Sequence, residues 1–294
     1  MRPLLKWPGS KRRVAPELAA KIAPHLNNKG RYVELFAGSA SVLFELEPER
    51  SVLVDTCKPL IAFYEGVKRE PDAIYDELQV LLDLEFGEET FRRVKTEWNG
   101  HDFGVKFAAR LIYLNKLCFN GLFRLNRKLM FNVAWGKKKK LPAFPDRKEF
   151  LYAASVLSRT KLYVRDYSRI LRATHAGDVV YADPPYWGTY DRYAGGNFTE
   201  KDQRNLARML RRASERGVTV FTSNVDCEEV RQLYESWSEL EIVPVNHIIG
   251  CTKESRRKVN EVLVSATAPF VDKNQLTLFS FPSEAVTDGV SSRA

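Results

Sequence analysis

Short apolar runs that end on a glycine or an acid alternate along this chain with longer stretches of helical spacing. Residues 31–43, RYVELFAGSASVL, read as a strand, a glycine turn at Phe36-Ala37-Gly38-Ser39, and a helix that continues from Ser41 to Leu46. A second apolar strand, residues 51–54, ends at Asp55. Strand, turn, helix and strand in that order open a doubly wound sheet. From Lys58 to about Phe150 helical spacing dominates, for instance at residues 73–82 and 105–117. The aromatic and basic tract at 119–140, FNGLFRLNRKLMFNVAWGKKKK, is expected to form a loop and a β-hairpin. The strand pattern returns at 161–166 and more strongly at 178–182, where it runs into Asp183-Pro184-Pro185-Tyr186. Residues 199–216 have the spacing of an amphipathic helix stopped by Gly217. Residues 218–222 form the next buried strand, and 239–245 with 259–267 the closing antiparallel pair. From Pro269 the chain becomes a polar, Ser-rich tail.

The organisation that follows is an α/β sheet interrupted by a mainly helical insertion. Residues 1–57 and 149–270 make the sheet domain, 58–148 the insertion, and 271–294 the tail. The 294 residues suffice for one such domain, and no apolar run reaches the length of a membrane span. The opening segment MRPLLKWPGSKRR lacks the apolar core of a signal peptide, so a cytoplasmic protein is expected. Cys57, Cys118, Cys227 and Cys251 form no C-x-x-C pair, and His25, His101, His175 and His247 are scattered. Neither a metal site nor a disulfide framework is expected, only reduced and mostly buried thiols.

A net charge of +9 suits a polyanionic partner. Its distribution says more than its size. Lys137, Lys138, Lys139 and Lys140 follow a glycine inside the aromatic tract, and Lys11-Arg12-Arg13 lies near the start. Each run reads either as a solvated surface or as a contact with nucleic acid. The position of the lysine run beside other candidate contact residues favours the second.

The motif at 183–186 carries the chemistry. It follows a predicted buried strand, at the edge where open α/β sheets bind ligands. Pro184 and Pro185 remove two backbone donors, so the turn offers a carboxylate and carbonyl oxygens, all acceptors. An exocyclic amine has two N–H donors to give. With one on Asp183 and one on the Pro184 carbonyl, its lone pair points outward, and the positive charge that grows during attack on a sulfonium methyl is stabilised. Tyr186 supplies a flat face for the base. On the cofactor side, Gly38 sits where backbone must approach a ligand closely. Asp55, 17 residues later, is placed either to bind a ribose diol or to cap the next helix. Trp7, flanked by Lys6 and Lys11 and followed by Pro8-Gly9, is expected in an exposed binding loop rather than in the core.

In this order, KWPGSK, YVELFAGSASV, NGLFRLN with FNVAWG, VRDY at 164–167, DPPY, NFTEKDQRNLA at 197–207 and RRKVNEVLV at 256–264 resemble the Dam family of adenine-N6 DNA methyltransferases over about residues 5–264. The resemblance implies a Rossmann-like S-adenosylmethionine-dependent methyltransferase sheet with an inserted target-recognition domain. It also implies duplex DNA as partner and an adenine flipped out of the stack, with GATC as the expected target. By resemblance Trp7, Lys11, Glu34, Phe36, Gly38, Asp55, Asp166, Tyr167 and Asp183 serve the cofactor. Asp183, Pro184, Pro185 and Tyr186 take the adenine. Lys6 and Arg124 would contact guanines, Leu122 a thymine methyl, and Phe119 and Asn120 the gap left by the flipped base. Asn126, Asn132, Ala134, Lys137, Lys138 and Lys139 would complete the DNA face. Pro8, Ser10, Cys57, the turn Lys128-Leu129-Met130, Ala134 and His247 depart from the family pattern, which bears on the target sequence more than on the reaction. The tail's Gln275, Leu276, Leu278 and Phe279 resemble a bacterial sliding-clamp motif; the alternative is packing on the chain's own domain. Competing readings are an RNA adenine-N6 methyltransferase, a cytosine-N4 enzyme and a catalytically silent DNA-binding protein. A nucleoid-associated bacterial or phage enzyme is the expected setting.

Overall fold

The computed structural model describes residues 3–27, 29–98, 100–188, 198–243, 248–249, 257–258 and 260–267. Among them the strands are β1 (Tyr32–Leu35), β2 (Ser51–Asp55), β3 (Thr160–Val164), β4 (Val179–Ala182), β5 (Thr219–Val225), β6 (Glu239–Val243), β7 (Ile248–Ile249), β8 (Arg257–Lys258) and β9 (Glu261–Ala266). Seven form one sheet in the order β3-β2-β1-β4-β5-β9-β6, and β7 pairs only with β8. β1 to β5 are parallel, while β9 runs antiparallel to both β5 and β6. The fold is a Rossmann-like α/β sheet with a parallel core and an antiparallel edge. The expected closing antiparallel pair is present as β6 and β9.

The central strands are buried on both faces, as parallel strands covered by crossover helices must be. Alternate residues of each strand feed different cores. Tyr32, Leu53, Val179, Tyr181 and Phe221 face one side, whereas Val33, Leu35, Val52, Val54, Val180 and Val220 face the other.

Helices α1 (Ala15–Ile22), α2 (Ser41–Leu46), α3 (Lys58–Arg69), α4 (Pro71–Leu82), α5 (Glu88–Glu97), α6 (Val105–Leu117) and α7 (Arg147–Ser158) cover the first face. Five of them, α3 to α7, lie between β2 and β3, and their apolar residues join the same core as the sheet. The second face is covered by α8 (Tyr167–Arg172), α9 (Glu200–Glu215) and α10 (Glu228–Tyr234).

Local chemistry sets the ends of these helices. A capping box closes α7, with Asp146 and Glu149 bonding each other's backbone amides, and Thr199 with Asp202 does the same for α9. Gly217, at φ 89°, turns the chain out of α9 into β5.

Residues 118–146 form the expected long loop, whose middle turns back as a short antiparallel hairpin with Asn126 N–H on the Met130 carbonyl and Asn132 N–H on the Arg124 carbonyl. Its arms pair through two bridges, Cys118 with Trp135 and Leu125 with Phe131, and extend no regular ladder beyond them. Most of its aromatic side chains go to the core, Phe119 excepted. Phe123 and Phe131 pack on buried Trp98, and Trp135 packs on Phe86 and Phe91. Asn126 closes the tip by accepting from the amides of Lys128 and Met130.

Candidate functional site

The carboxyl ends of β2, β1 and β4 lie side by side. Leu35 is in register with Val54 on one flank and Ala182 on the other. The residues that follow, Phe36, Asp55 and Asp183, therefore emerge along one edge. Strand order reverses between β1 and β4, which opens the crevice where ligands of such sheets bind.

The glycine turn at this edge leaves β1 in left-handed backbone, with Phe36 at φ 61° and Gly38 at φ 48°. That conformation is uncommon for a phenylalanine, and here the surroundings hold it in place. The Phe36 ring lies 5.4 Å from Tyr167 and meets Phe198 edge-on at 5.5 Å. Asp55 uses both carboxylate oxygens on backbone, accepting from Cys57 N–H at 2.8 Å and Gly38 N–H at 3.3 Å. It thus caps the start of the next segment and faces the glycine turn at once. Burial holds its pKa above the ordinary carboxylate value, against the pull of those amides. Glu34 is buried behind the turn, accepting from Leu43 N–H at 2.9 Å and Tyr32 O–H at 2.8 Å. Desolvation pushes its pKa up to about 8. Asp166 is exposed and caps α8 through Ser168 N–H.

The opening segment is not the free loop expected from its sequence. Trp7 is half-buried, stacked on Phe123 at 5.1 Å, and so close to Gly38 that a Cβ there would lie 3.0 Å from the indole. Ser10 joins Ser39 and Ser41 in a hydroxyl cluster at 2.7 and 3.1 Å, which seats the segment on the glycine turn. Ser10, one of the departures from the family pattern, is thus used for packing on the glycine turn.

Lys11 is buried, and its Nζ lies 2.8 Å from Asp183 Oδ1, 3.2 Å from the Gly9 carbonyl and 4.7 Å from the Tyr186 ring centre. A second carboxylate, Glu261 of β9, stands 3.8 Å away on the other side. Lys11 therefore serves Asp183 directly. The Asp183 side chain keeps 19% of its surface open. The strands around it still desolvate it and push its pKa up to about 6, with Lys11 opposing and Glu261 adding to the rise.

Two residues not singled out in the sequence brace the Asp183 turn. Gln203 of α9 donates to the Pro185 carbonyl at 2.6 Å, and Asn224 of β5 accepts from Trp187 N–H at 3.1 Å. The two amides are themselves joined at 3.1 Å. Both are buried. The available signal was an amide at a core-facing position: Gln203 shares the buried face of α9 with Leu206, Ala207 and Leu210.

The candidate nucleic-acid residues gather on the 118–146 loop and the opening segment. Lys6, Phe119, Asn120, Arg124, Asn126, Asn132, Ala134, Lys137 and Lys139 are exposed, while Leu122 and Lys138 are half-buried. Phe119 leaves 54% of its surface in solvent, unusual for a phenyl ring. Arg124 bonds the Asn132 carbonyl across the loop at 2.8 and 3.1 Å, which fixes its guanidinium before any ligand arrives. Burial first, and then the charge of Lys138, lower the pKa of Lys6.

Among the described residues no group of three or more His, Cys, Asp or Glu side chains is arranged to hold a metal, and no helix is long and apolar enough to cross a membrane. Cys57 and Cys118 are buried free thiols and Cys227 is half-buried. Cys251, His247 and the tail motif Gln275, Leu276, Leu278 and Phe279 lie outside the described residues.

The sequence matches the family described as D12 class N6 adenine-specific DNA methyltransferase over residues 7–248. A DNA adenine methylase of Vibrio cholerae is 33% identical over 273 residues, covering 90% of this chain and 96% of the relative. One from Escherichia coli is 31% identical, covering 89% and 94%. The type II methyltransferase M.MjaIII of Methanocaldococcus jannaschii is 29% identical, covering 90% and 98%. With the sheet order and the Asp183 turn in place at the carboxyl edge, the chain belongs to the D12 class of N6 adenine-specific DNA methyltransferases.

Proposed function

We propose that the protein transfers the methyl group of S-adenosylmethionine to N6 of an adenine flipped out of duplex DNA, within GATC. The observation that carries this reading is the placement of Asp183. It stands at the end of β4, one strand from the glycine turn, in a segment braced by Gln203 and Asn224.

The brace occupies the Pro185 carbonyl and the Trp187 amide. The Asp183 carboxylate and Pro184 carbonyl then accept the two N6 protons, and Tyr186 lies against the base. The bound cosubstrate supplies an electrophilic methyl group. As the N–C bond forms and the C–S bond breaks, positive charge grows on N6. Asp183 stabilises that charge and takes the surplus proton, for which a pKa of about 6 is well placed near neutral pH. Lys11 keeps Asp183 ionised between turnovers.

The residues at the edge fit the cosubstrate. Asp55 presents a carboxylate for the ribose hydroxyls, and Phe36, Tyr167 and Phe198 form an aromatic wall for the adenine ring. Asp166 lies next to Tyr167 to receive the adenine amine. The Gly38 turn is packed under Trp7, where a Cβ would lie 3.0 Å from the indole, so the turn stays bare backbone. Glu34 holds the start of α2 behind the methionine end.

Residues 58–148 then form the DNA-facing part of the enzyme, on the catalytic body of 1–57 and 149–270. Lys6 and Arg124 read guanine edges, Leu122 touches a thymine methyl, and exposed Phe119 with Asn120 fills the vacated stack. Asn126, Asn132, Ala134, Lys137, Lys138 and Lys139 line the same face.

Plasmid DNA from a methylation-free host, treated with purified protein and S-adenosylmethionine, tests the proposal by single-molecule sequencing. N6-methyladenine confined to GATC is expected. Another adenine motif would keep the chemistry and discard the assigned base contacts. Full activity in Asp183→Ala would refute the mechanism.

A further inference from the structure

Asn115 lies on α6 with no exposed surface, among Leu111, Ile112, Leu114 and Leu117. A polar side chain in such a place is destabilising unless its hydrogen bonds are made. Here three of them are, and all go to main chain. Oδ1 accepts from Lys6 N–H at 2.7 Å, while Nδ2 donates to the Lys6 carbonyl at 2.9 Å and to the Gly121 carbonyl at 3.1 Å. One amide therefore grips both sides of Lys6 and the start of the 118–146 loop.

The contact is tightened from the loop side. Gly121 has φ 65°, and a Cβ there would fall 2.5 Å from Lys6 Cδ and 2.8 Å from Lys6 Cβ. The lysine stem crosses directly over this glycine. Three residues further along, Arg124 is held on the Asn132 carbonyl. The two long, otherwise flexible side chains are thus fixed relative to each other through Asn115.

We propose that Asn115 is a specificity-determining positioning residue, which locks Lys6 and the recognition loop into one frame so that Lys6 and Arg124 engage the same target site together. The inference rests on the reading above that these two side chains contact bases. Discrimination requires both contacts to be satisfied in a single placement. A Lys6 free to shift would tolerate a wrong base pair, because the mismatch then leaves no group stranded.

The test compares kcat/KM on duplexes carrying the mapped target site with duplexes changed at one base pair. The enzymes are wild type, Lys6→Ala, Asn115→Ala and the double variant, each checked for its melting temperature. Asn115→Ala is expected to reduce discrimination at the Lys6 base pair on the order of 10-fold, within the range set by loss of one base contact. It should add little once Lys6 is already alanine, as expected of residues acting through one contact. Gly121→Ala disturbs the same joint from the other side and serves if Asn115→Ala does not fold; it should relax discrimination at the same base pair. Unchanged discrimination in the folded Asn115 or Gly121 variant, or a loss fully additive with Lys6→Ala, overturns the inference while leaving the base-contact reading intact. Unchanged discrimination in Lys6→Ala overturns that reading and the inference with it.

Discussion

The ammonium of Lys11 lies 2.8 Å from the carboxylate of Asp183, and Glu261 stands 3.8 Å from the same ammonium. One buried cation from the start of the chain is thus held between two acids from its second half. Burial raises the pKa of Asp183, the lysine opposes that rise, and the second acid adds to it. The three residues together set the pH at which the Asp183 carboxylate is charged.

Opposite shifts of the pH–rate profile follow. With Asp183 required as a carboxylate, activity falls as pH drops through about 6. Removing the opposing cation in Lys11→Met lets the Asp183 pKa rise, so the acid limb moves upward and activity at pH 7 declines. Removing the neighbouring anion in Glu261→Gln moves the limb downward. Profiles of kcat/KM between pH 5 and 9 check both signs, and a shift of both variants in one direction would contradict the arrangement.

Gln203 and Asn224 are expected to matter for turnover as a pair. Gln203→Leu leaves the Pro185 carbonyl and the Asn224 amide without their partners. A loss of about 1–3 kcal/mol in stability should follow, as for other stranded buried polar groups. A fall in kcat on the order of 10-fold or more is expected as the Asp183 turn loosens. Asn224→Leu should behave alike, and the double variant should be little worse than either single one. Chemical denaturation and single-turnover rates on the four proteins measure this.

Glu34 makes stability fall with rising pH. Its carboxyl is pushed up to about 8 in the fold. Between the unfolded value of about 4.3 and that pH, the native state holds a proton that the unfolded chain has released. This contribution is full below pH 4 and is lost as pH climbs through 8. Gln keeps an acceptor for Leu43 N–H and Tyr32 O–H without the ionisation. Glu34→Gln should therefore flatten the decline in urea midpoint between pH 6 and 9, and an unchanged slope would assign the decline elsewhere.

The lysine run is expected to govern salt dependence rather than target choice. Alanine at Lys137, Lys138 or Lys139 should weaken cognate and unrelated duplexes alike. Each lost phosphate contact should reduce the slope of log K against log salt by about 0.9. Fluorescence anisotropy over a salt series reads this directly, and a slope unchanged in the triple variant would place the run on a solvated surface.

Much of the scaffold was legible in the chain. The apolar runs ending at Phe36, Asp55 and Asp183 marked three strand ends, because a short apolar run and a terminal glycine or acid are local properties. The spacing of 199–216 and the stop at Gly217 marked α9 for the same reason. The irregular course of 118–146 was less legible, since its aromatic residues have strand-like composition but are drawn into the core around Trp98. What the sequence by itself determined was the set of elements and the chemistry carried at their ends. Which distant partners meet was decided only by tertiary structure. Lys11 reaches Asp183, Asn115 clasps Lys6, and Gln203 and Asn224 brace Pro185 and Trp187 because the sheet order brings their elements to one edge. An isolated polar residue at a buried position announces that it needs a partner; it carries no periodicity that says where the partner lies.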